Sequence, residues 1–283
     1  RRQRQMCIRD SRSAVDAVAS FVGSYSLALL ITNRVYMEDT YTKKEAAIIA
    51  TGFSTVSATF MIIVAKTLDL MDYWLAYFWI TLIVTFIVTA ITARIFPLNK
   101  KPQEYYSGKE YVPEEKKKVT FADALDAGMT AYKNADSLGK VIKDNFIDGF
   151  KMALNIAPSL LGVGMIGLLL AEYTPIFDII GYIFYPFTLI TKVEEPLMVA
   201  QALGMSIAEM LLPAPLVAEA GLGLITKMLV AIVSVSEILF FSASIPVIMG
   251  TEIPLKFSDY IIIWIERAVS YTHLRAHETL RYL

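Results

Sequence analysis

Glu237 is the residue whose position in the sequence most strongly suggests chemistry. It is the only charged residue in the run 228–251, and Ser234 and Ser236 come just before it. A carboxylate far from both ends of an apolar run is costly in lipid, so it must face a bundle interior or a cavity, and it is a functional candidate by default. A protonated or lysine-paired structural carboxylate is the alternative.

Two further regions contain polar side chains that could bind a solute. Six of the nine residues in 51–59 are glycine, serine or threonine, which is typical of either a packing seam or a ligand site. Glu209 precedes Pro213 and Pro215, which must break a helix and could expose backbone groups to a ligand. The candidate substrate-binding residues are Gly52, Ser54, Thr55, Ser57, Ser234, Ser236, Glu237, Glu209 and Asn33.

The two ends of the chain, 1–11 and 270–283, resemble translated sequencing-adapter read-through. They contain the only cysteine, Cys7, and both histidines, His273 and His277. An Arg-rich native tail and a polar C-terminal tail are the alternative. If the ends are foreign, we expect a fragment of a longer protein with no Cys or His for metal ligation or catalysis. We therefore expect no catalytic residue, no metal site, no cofactor and no enzyme activity.

The composition indicates a protein in contact with a lipid bilayer. Hydrophobic residues make up 55% of the chain and charged residues only 19%, with a mean hydropathy of +0.52. The formal net charge of −1 provides no basic surface for nucleic acid, so we expect no nucleic-acid partner.

The lengths of the uncharged runs predict an all-α fold, a polytopic bundle of transmembrane helices. A bilayer needs about 20 mostly apolar residues per helix. Runs 46–65, 73–93, 152–171 and 228–251 are long enough, the last interrupted only by Glu237, and 17–33 is marginal. Three shorter runs, 179–191, 196–208 and 210–218, predict broken or re-entrant helices.

The charge pattern divides the chain into segments. We expect a first membrane segment over 12–96, a charged cytoplasmic loop with an amphipathic helix over 97–145, and a second membrane segment over 146–269. Lys and Arg flank the outer ends of the first helical hairpin, which places those ends in the cytoplasm by the positive-inside rule. We therefore expect a protein that crosses a membrane several times.

A weak internal repeat links two Ser/Thr-rich segments. Residues 53–57 followed by Phe60 resemble residues 233–237 followed by Phe240, and each segment leads through a polar turn into an aromatic helix. Transporters commonly place the substrate site at the interface of such repeats. Chance similarity of two apolar, serine-containing helices is the alternative.

Two other motifs favour structural interpretations. Thr42 and Glu45 have the spacing of a capping box at a helix start. The G-x-G-x-x-G pattern at 162–167 lies inside an apolar run without the preceding strand that a dinucleotide site requires, so we interpret it as helix packing, with Pro158 adding a kink.

Eight short segments carry a family resemblance that covers nearly all of 13–269, namely 23–26, 31–34, 41–46, 51–57, 208–210, 212–214, 236–241 and 244–246. They resemble the YjiH-type bacterial inner-membrane proteins, which carry the nucleoside-recognition GATE domain. The resemblance implies the bacterial cytoplasmic membrane as the location, with several passes. The GATE domain is similar to parts of concentrative nucleoside transporters and of the FeoB iron transporter, and it also occurs in spore-maturation membrane proteins. The chain contains no GTPase P-loop, which disfavours the FeoB kind of transport.

These observations leave two functional hypotheses. The first is a membrane transporter or ligand-binding protein for a small polar solute such as a nucleoside, with coupling to a proton or a sodium ion left open. The second is a membrane scaffold or assembly protein of the spore-maturation type, without transport. Homo-oligomers are compatible with both.

Overall fold

The computed structural model describes residues 25–52, 56–111, 129 and 137–276. These residues form helices and connecting segments, and the described part contains no strand beyond an isolated bridge between Glu104 and Glu110. The predicted all-α class is therefore confirmed for this part of the chain. The residues 1–24, 53–55, 112–128, 130–136 and 277–283 lie outside the description, including the end segment 1–11 and most of the predicted amphipathic helix.

Eleven α-helices are described, together with short 3₁₀ turns at Met71–Tyr73 and Leu98–Lys100. In chain order the α-helices are α1 (Tyr25–Met37), α2 (Lys43–Gly52), α3 (Ala58–Thr67), α4 (Trp74–Thr92), α5 (Leu138–Tyr173), α6 (Ile176–Ile190), α7 (Pro196–Met205), α8 (Pro213–Ala218), α9 (Leu224–Ser236), α10 (Ser244–Met249) and α11 (Phe257–Ala276).

Helix α4, with the 3₁₀ turn before it, is long and apolar enough to cross a membrane. This span covers Met71–Thr92. Among the residues whose side chains the structure describes, no second helix meets the same test, and five apolar helices of 10–17 residues fall below its length.

Two of the long apolar runs are each divided into two shorter helices. In the run 46–65, α2 ends at Gly52 and α3 begins at Ala58, where the Ser57 hydroxyl accepts a hydrogen bond from the Phe60 N–H at 3.4 Å. In the run 228–251, α9 ends at Ser236 and α10 begins at Ser244. We call α2 with α3 the first broken helix, and α9 with α10 the second broken helix.

A hydroxyl side chain contributes to the second interruption, residues 237–243. The Ser244 hydroxyl accepts a hydrogen bond from the Phe240 N–H at 2.8 Å. Such side chains offer the backbone an alternative to helical hydrogen bonds. Run length alone predicted unbroken helices here, and that prediction was wrong because uncharged runs carry no information about local hydroxyl competition.

Capping residues start the first broken helix as predicted. The Thr42 N–H donates to Glu45 Oε2 at 2.9 Å, and the Glu45 N–H donates to Thr42 Oγ1 at 3.2 Å. This reciprocal pair confirms the capping box and gives Glu45 a structural role.

Helices α6 and α7 form a tight antiparallel hairpin. A Cβ on Gly204 would lie 2.6 Å from the Phe177 carbonyl oxygen, and one on Gly181 would lie 2.7 Å from the Cα of Gln201. Only glycine allows the two backbones this approach. Two of the three short apolar runs therefore pair with each other.

The segment 97–111 shows which helix ends lie together. Lys43, at the start of α2, forms an ion pair with Glu104 at 2.8 Å. Lys101 donates to the carbonyl oxygen of Pro254 at 2.7 Å and forms an ion pair with Asp259 of α11 at 2.6 Å. The start of the first broken helix, the end of the second and the start of α11 therefore share one end of the bundle, which we call the basic end. The two broken helices run in opposite directions.

Several other predicted features can be located. Residues 162–167 lie within α5, which excludes the strand-turn-helix of a dinucleotide site there, and Pro158 lies inside the same helix. No described atom lies within 4 Å of a Cβ placed on Gly162, so close helix packing is not seen at that position. Helix α11 continues through 270–276, where Tyr271 is buried.

Candidate functional site

The two broken helices meet at their interruptions. The Val56 N–H donates to the Val235 carbonyl oxygen at 3.4 Å, and α9 packs against α3. Helix α4 packs against α2, α9 and α11, so it lies beside this contact. We call this contact between Val56 and Val235, together with the surrounding side chains of α2, α4, α9 and α11, the crossing.

Helix α4 turns a row of threonines toward the crossing. Thr81, Thr85, Thr89 and Thr92 recur every three or four residues and are all buried. The Thr85 and Ser236 hydroxyls are 2.7 Å apart, and the Thr89 hydroxyl donates to the Gly52 carbonyl oxygen. These hydroxyls connect α4 to the last residues of α2 and α9.

Helix α11 contributes a buried arginine, Arg267. Its Nη2 donates to the Ser236 carbonyl oxygen at 2.7 Å, and its Nη1 donates to Thr89 Oγ1 at 3.3 Å. A Cβ on Gly52 would lie 2.7 Å from Nη1, so glycine at this position lets the guanidinium approach α2 this closely. Nη2 also donates to the Tyr271 hydroxyl at 2.8 Å. Tyr271 belongs to the segment 270–283 that the sequence predicts to be foreign, and we assign it no role.

Glu237 is buried beside Arg267 without hydrogen bonds among the described residues. Its Oε1 lies 3.8 Å from Arg267 Nε, and the two side chains are 1% and 0% exposed. Neither carboxylate oxygen, nor Arg267 Nε, nor the Ser234 hydroxyl has a hydrogen-bond partner in the described part of the chain. Buried charges are normally fully paired, because an unsatisfied charged group loses its hydration without compensation. The crossing thus combines charge with unused donors and acceptors.

Most of the predicted binding residues lie at or next to the crossing. Gly52, Ser234, Ser236 and Glu237 are brought together there, and Ser57 caps α3 on the other side of the first interruption. Ser54 and Thr55 lie outside the described residues.

The structure places two other predicted residues elsewhere. The Ser242 hydroxyl donates to the Glu209 carboxylate, and the Phe241 N–H donates to the Ile207 carbonyl oxygen at 2.7 Å. Glu209 therefore belongs to a separate contact, between residues 207–209 and the far end of the second interruption. Asn33 accepts a hydrogen bond from the Glu252 N–H at 3.0 Å near the basic end, which is a structural contact.

Arg267, Thr85 and Thr89 are site residues that sequence reasoning missed. Arg267 and Glu266 interrupt an otherwise uncharged run over 260–269, and the threonines repeat at helical spacing within 73–93. Both signals could be read from the sequence. A charged residue inside an apolar run is a functional candidate at Arg267 for the same reason as at Glu237. Within the described ranges, no group of three or more His, Cys, Asp or Glu side chains is placed to hold a metal ion.

Comparison with known proteins identifies a bacterial relative. The chain is 34% identical over 267 residues to an uncharacterized protein of Alkalihalophilus pseudofirmus. The similarity covers 91% of this chain and 56% of the relative, so the chain spans about half of that protein's length. No family model and no solved structure matches the chain.

Proposed function

We propose that this chain is part of a multi-pass protein of the bacterial cytoplasmic membrane that binds and transports a small polar solute, with nucleosides as the first class to test. The observation that carries the proposal is the crossing, where two oppositely directed broken helices meet at a buried Glu237–Arg267 pair with unused hydrogen-bonding groups.

The surface of α4 supports a membrane environment. Its exposed face carries Leu75, Trp79 and Ile83, which are 71%, 56% and 52% exposed. Its buried face carries the threonines. A helix in water buries its apolar face and exposes its polar face, whereas a helix in lipid can do the reverse. Exposed apolar side chains at spacings of four residues fit contact with acyl chains.

The helix directions support several passes. Helix α4 ends near the basic end, and α11 starts there. Each broken helix connects the basic end with the opposite end of the bundle through two short helices. A broken helix fails a test for single long helices but still covers the thickness that α4 covers. Lys43, Lys101 and the exposed Arg94 lie near the basic end, which the positive-inside rule would place in the cytoplasm.

The same directions support the predicted internal repeat. Each unit consists of a broken helix, a turn and a long helix, namely α2, α3 and α4 in one unit and α9, α10 and α11 in the other. The first unit starts at the basic end and the second starts at the opposite end. Inverted repeats with broken helices are a common architecture of secondary transporters, which bind substrate where the repeats meet.

The chemistry of the crossing suits a polar solute. Glu237 offers two acceptor oxygens, Arg267 Nε offers a donor, and the Ser234 hydroxyl offers both. Sugar hydroxyls and base edges present complementary groups. The resemblance to YjiH-type proteins of the GATE domain makes nucleosides the class to test first.

A thermal-shift titration of the full chain in detergent tests this proposal. A ligand that binds only the folded state stabilises it by about 2.7 kcal/mol at one hundred times its Kd. We expect a nucleoside in the panel to raise the apparent Tm with dose. Glu237→Gln should lose this increment, and Glu172→Gln, at an exposed position of α5, should keep it.

The two functional hypotheses predict different results. Comparing the ligand-induced increment, not the absolute Tm, separates binding from the stability change of each variant. No shift with any nucleoside or nucleobase, together with no uptake into proteoliposomes, would contradict the proposal and favour the scaffold alternative.

A further inference from the structure

We propose that Arg267 is a tethered cation that occupies the position where transporters with broken helices bind a coupling metal cation, so that this site operates without sodium or potassium. The inference rests on the proposed function in taking the crossing as the solute site.

The guanidinium lies between the carboxyl ends of two half-helices. Ser236 is the last residue of α9, and its carbonyl oxygen accepts from Arg267 Nη2 at 2.7 Å. Gly52 is the last described residue of α2, and a Cβ placed there would lie 2.7 Å from Nη1. Helix carboxyl ends carry free carbonyl groups and a partial negative charge. In broken-helix transporters such ends coordinate the coupling cation.

Glu237 adds two carboxyl oxygens to the same place. It follows Ser236 directly, and its carboxylate lies 3.8 Å from Arg267 Nε. Carbonyl, hydroxyl and carboxylate oxygens are the ligands that hard metal cations prefer. Thr89 Oγ1, the Ser236 carbonyl oxygen and the Glu237 carboxylate therefore form a set of oxygens suited to a cation, and the guanidinium is the cation present.

The properties of arginine explain why a metal cation would not share the site. Arginine stays protonated at any physiological pH, and its side chain cannot diffuse away. Two cations within a few ångströms in a buried site would repel each other strongly. Because Arg267 uses Nη1 and Nη2 for Thr89 and Ser236, the Glu237 oxygens stay available to the solute.

The first experiment compares cations on the unmodified full chain. Its apparent Tm is measured in detergent with sodium, potassium or choline chloride at the same ionic strength, about 0.15 M. We expect equal values in the three salts. Higher stability in sodium or potassium than in choline would overturn the proposal, and this comparison requires no variant.

The second experiment vacates the cation position. Arg267→Ala is expected to lower the Tm in choline chloride, and sodium or guanidinium ions should raise it again with dose, by mass action. Arg267→Lys, which keeps a tethered charge, should stay insensitive to the salt cation. A folded Arg267→Ala protein that responds to neither ion would overturn the proposal.

Two controls isolate the role of charge at the crossing. In Arg267→Ala/Glu237→Gln the carboxylate is absent, so the recovery with sodium or guanidinium should vanish; its persistence would overturn the proposal. Arg94→Ala, at an exposed position, should show no specific cation effect.

The outcomes separate this inference from the proposed function. Sodium stabilisation of the unmodified chain together with a nucleoside-induced shift would count against the tethered cation alone. Cation independence without any solute response would count against the proposed solute alone.

Discussion

Two ion pairs on the same helix, α11, have opposite properties. Asp259 and Lys101 approach to 2.6 Å near the basic end, and Lys101 also donates to Pro254 while Asp259 also accepts from the Lys256 N–H at 2.9 Å. Arg267 and Glu237 lie 3.8 Å apart at the crossing, and the carboxylate has no hydrogen bond within the described residues. The better-bonded pair is the more exposed one.

This difference indicates which pair serves stability. The Lys101 and Asp259 side chains are 14% and 9% exposed, whereas those of Arg267 and Glu237 are 0% and 1% exposed. Desolvation of charge costs most where water is excluded, and it is offset only by good geometry and additional hydrogen bonds. We call Arg267 with Glu237 the inner pair and Lys101 with Asp259 the outer pair. Selection for stability would complete the hydrogen bonds of the inner pair first. Its incomplete bonding fits a site whose remaining partner is a ligand.

The largest effect is expected from breaking the inner pair. Arg267→Met or Glu237→Gln removes one partner of a fully buried pair, which should lower the free energy of unfolding by about 3–5 kcal/mol. The double variant should lose much less than the sum of the two. Denaturant unfolding of the full chain in detergent measures the free energies of the two single variants and the double variant, which together form a double-mutant cycle. The same cycle with Lys101→Met and Asp259→Asn is the matched control. Additive losses at the inner pair would contradict direct coupling of Glu237 with Arg267.

The inner pair also shows what sequence can and cannot predict. Glu237 was identified from the sequence alone, because a single carboxylate in an apolar run is conspicuous. Its partner lies on another helix, and only the fold brings the two together. Arg267 falls in a helix that was interpreted by its aromatic residues, Tyr260 and Trp264, so its charge was overlooked.

Some helix boundaries were predictable from the sequence and others were not. The α4 span and the Thr42–Glu45 cap depend on local sequence, and both were predictable. The interruption after Ser236 depends on local hydroxyl competition and on distant contacts, such as the hydrogen bond from Val56 to Val235. The length of an uncharged run depends on neither the hydroxyl contacts nor the distant contacts, and for this reason an unbroken helix was expected there.

An intermediate effect is expected from crowding the guanidinium. In Gly52→Ala the new methyl group would lie 2.7 Å from Arg267 Nη1 and 3.0 Å from the Thr89 side chain, so the held guanidinium must shift. Overpacking of this kind costs about 1–3 kcal/mol. The matched control is Gly162→Ala in α5, where no described atom lies within 4 Å and a gain of about 0.5–1 kcal/mol is expected. Equal stability changes in the two variants would show that Gly52 does not position Arg267.

The smallest effect is expected at the outer pair. Asp259→Asn keeps an oxygen that can accept from the Lys256 N–H, and Lys101 lies near enough to the surface to be hydrated. The loss should be about 1–2 kcal/mol, the cost of weakening a charged hydrogen bond that keeps some contact with water, and should shrink as salt screens the charges. Unfolding at low and high salt measures both quantities. A loss in free energy of unfolding as large as that of Arg267→Met, unchanged by salt, would mean that the outer pair contributes as much to stability as the inner pair. The contrast in bonding would then no longer identify the functional pair.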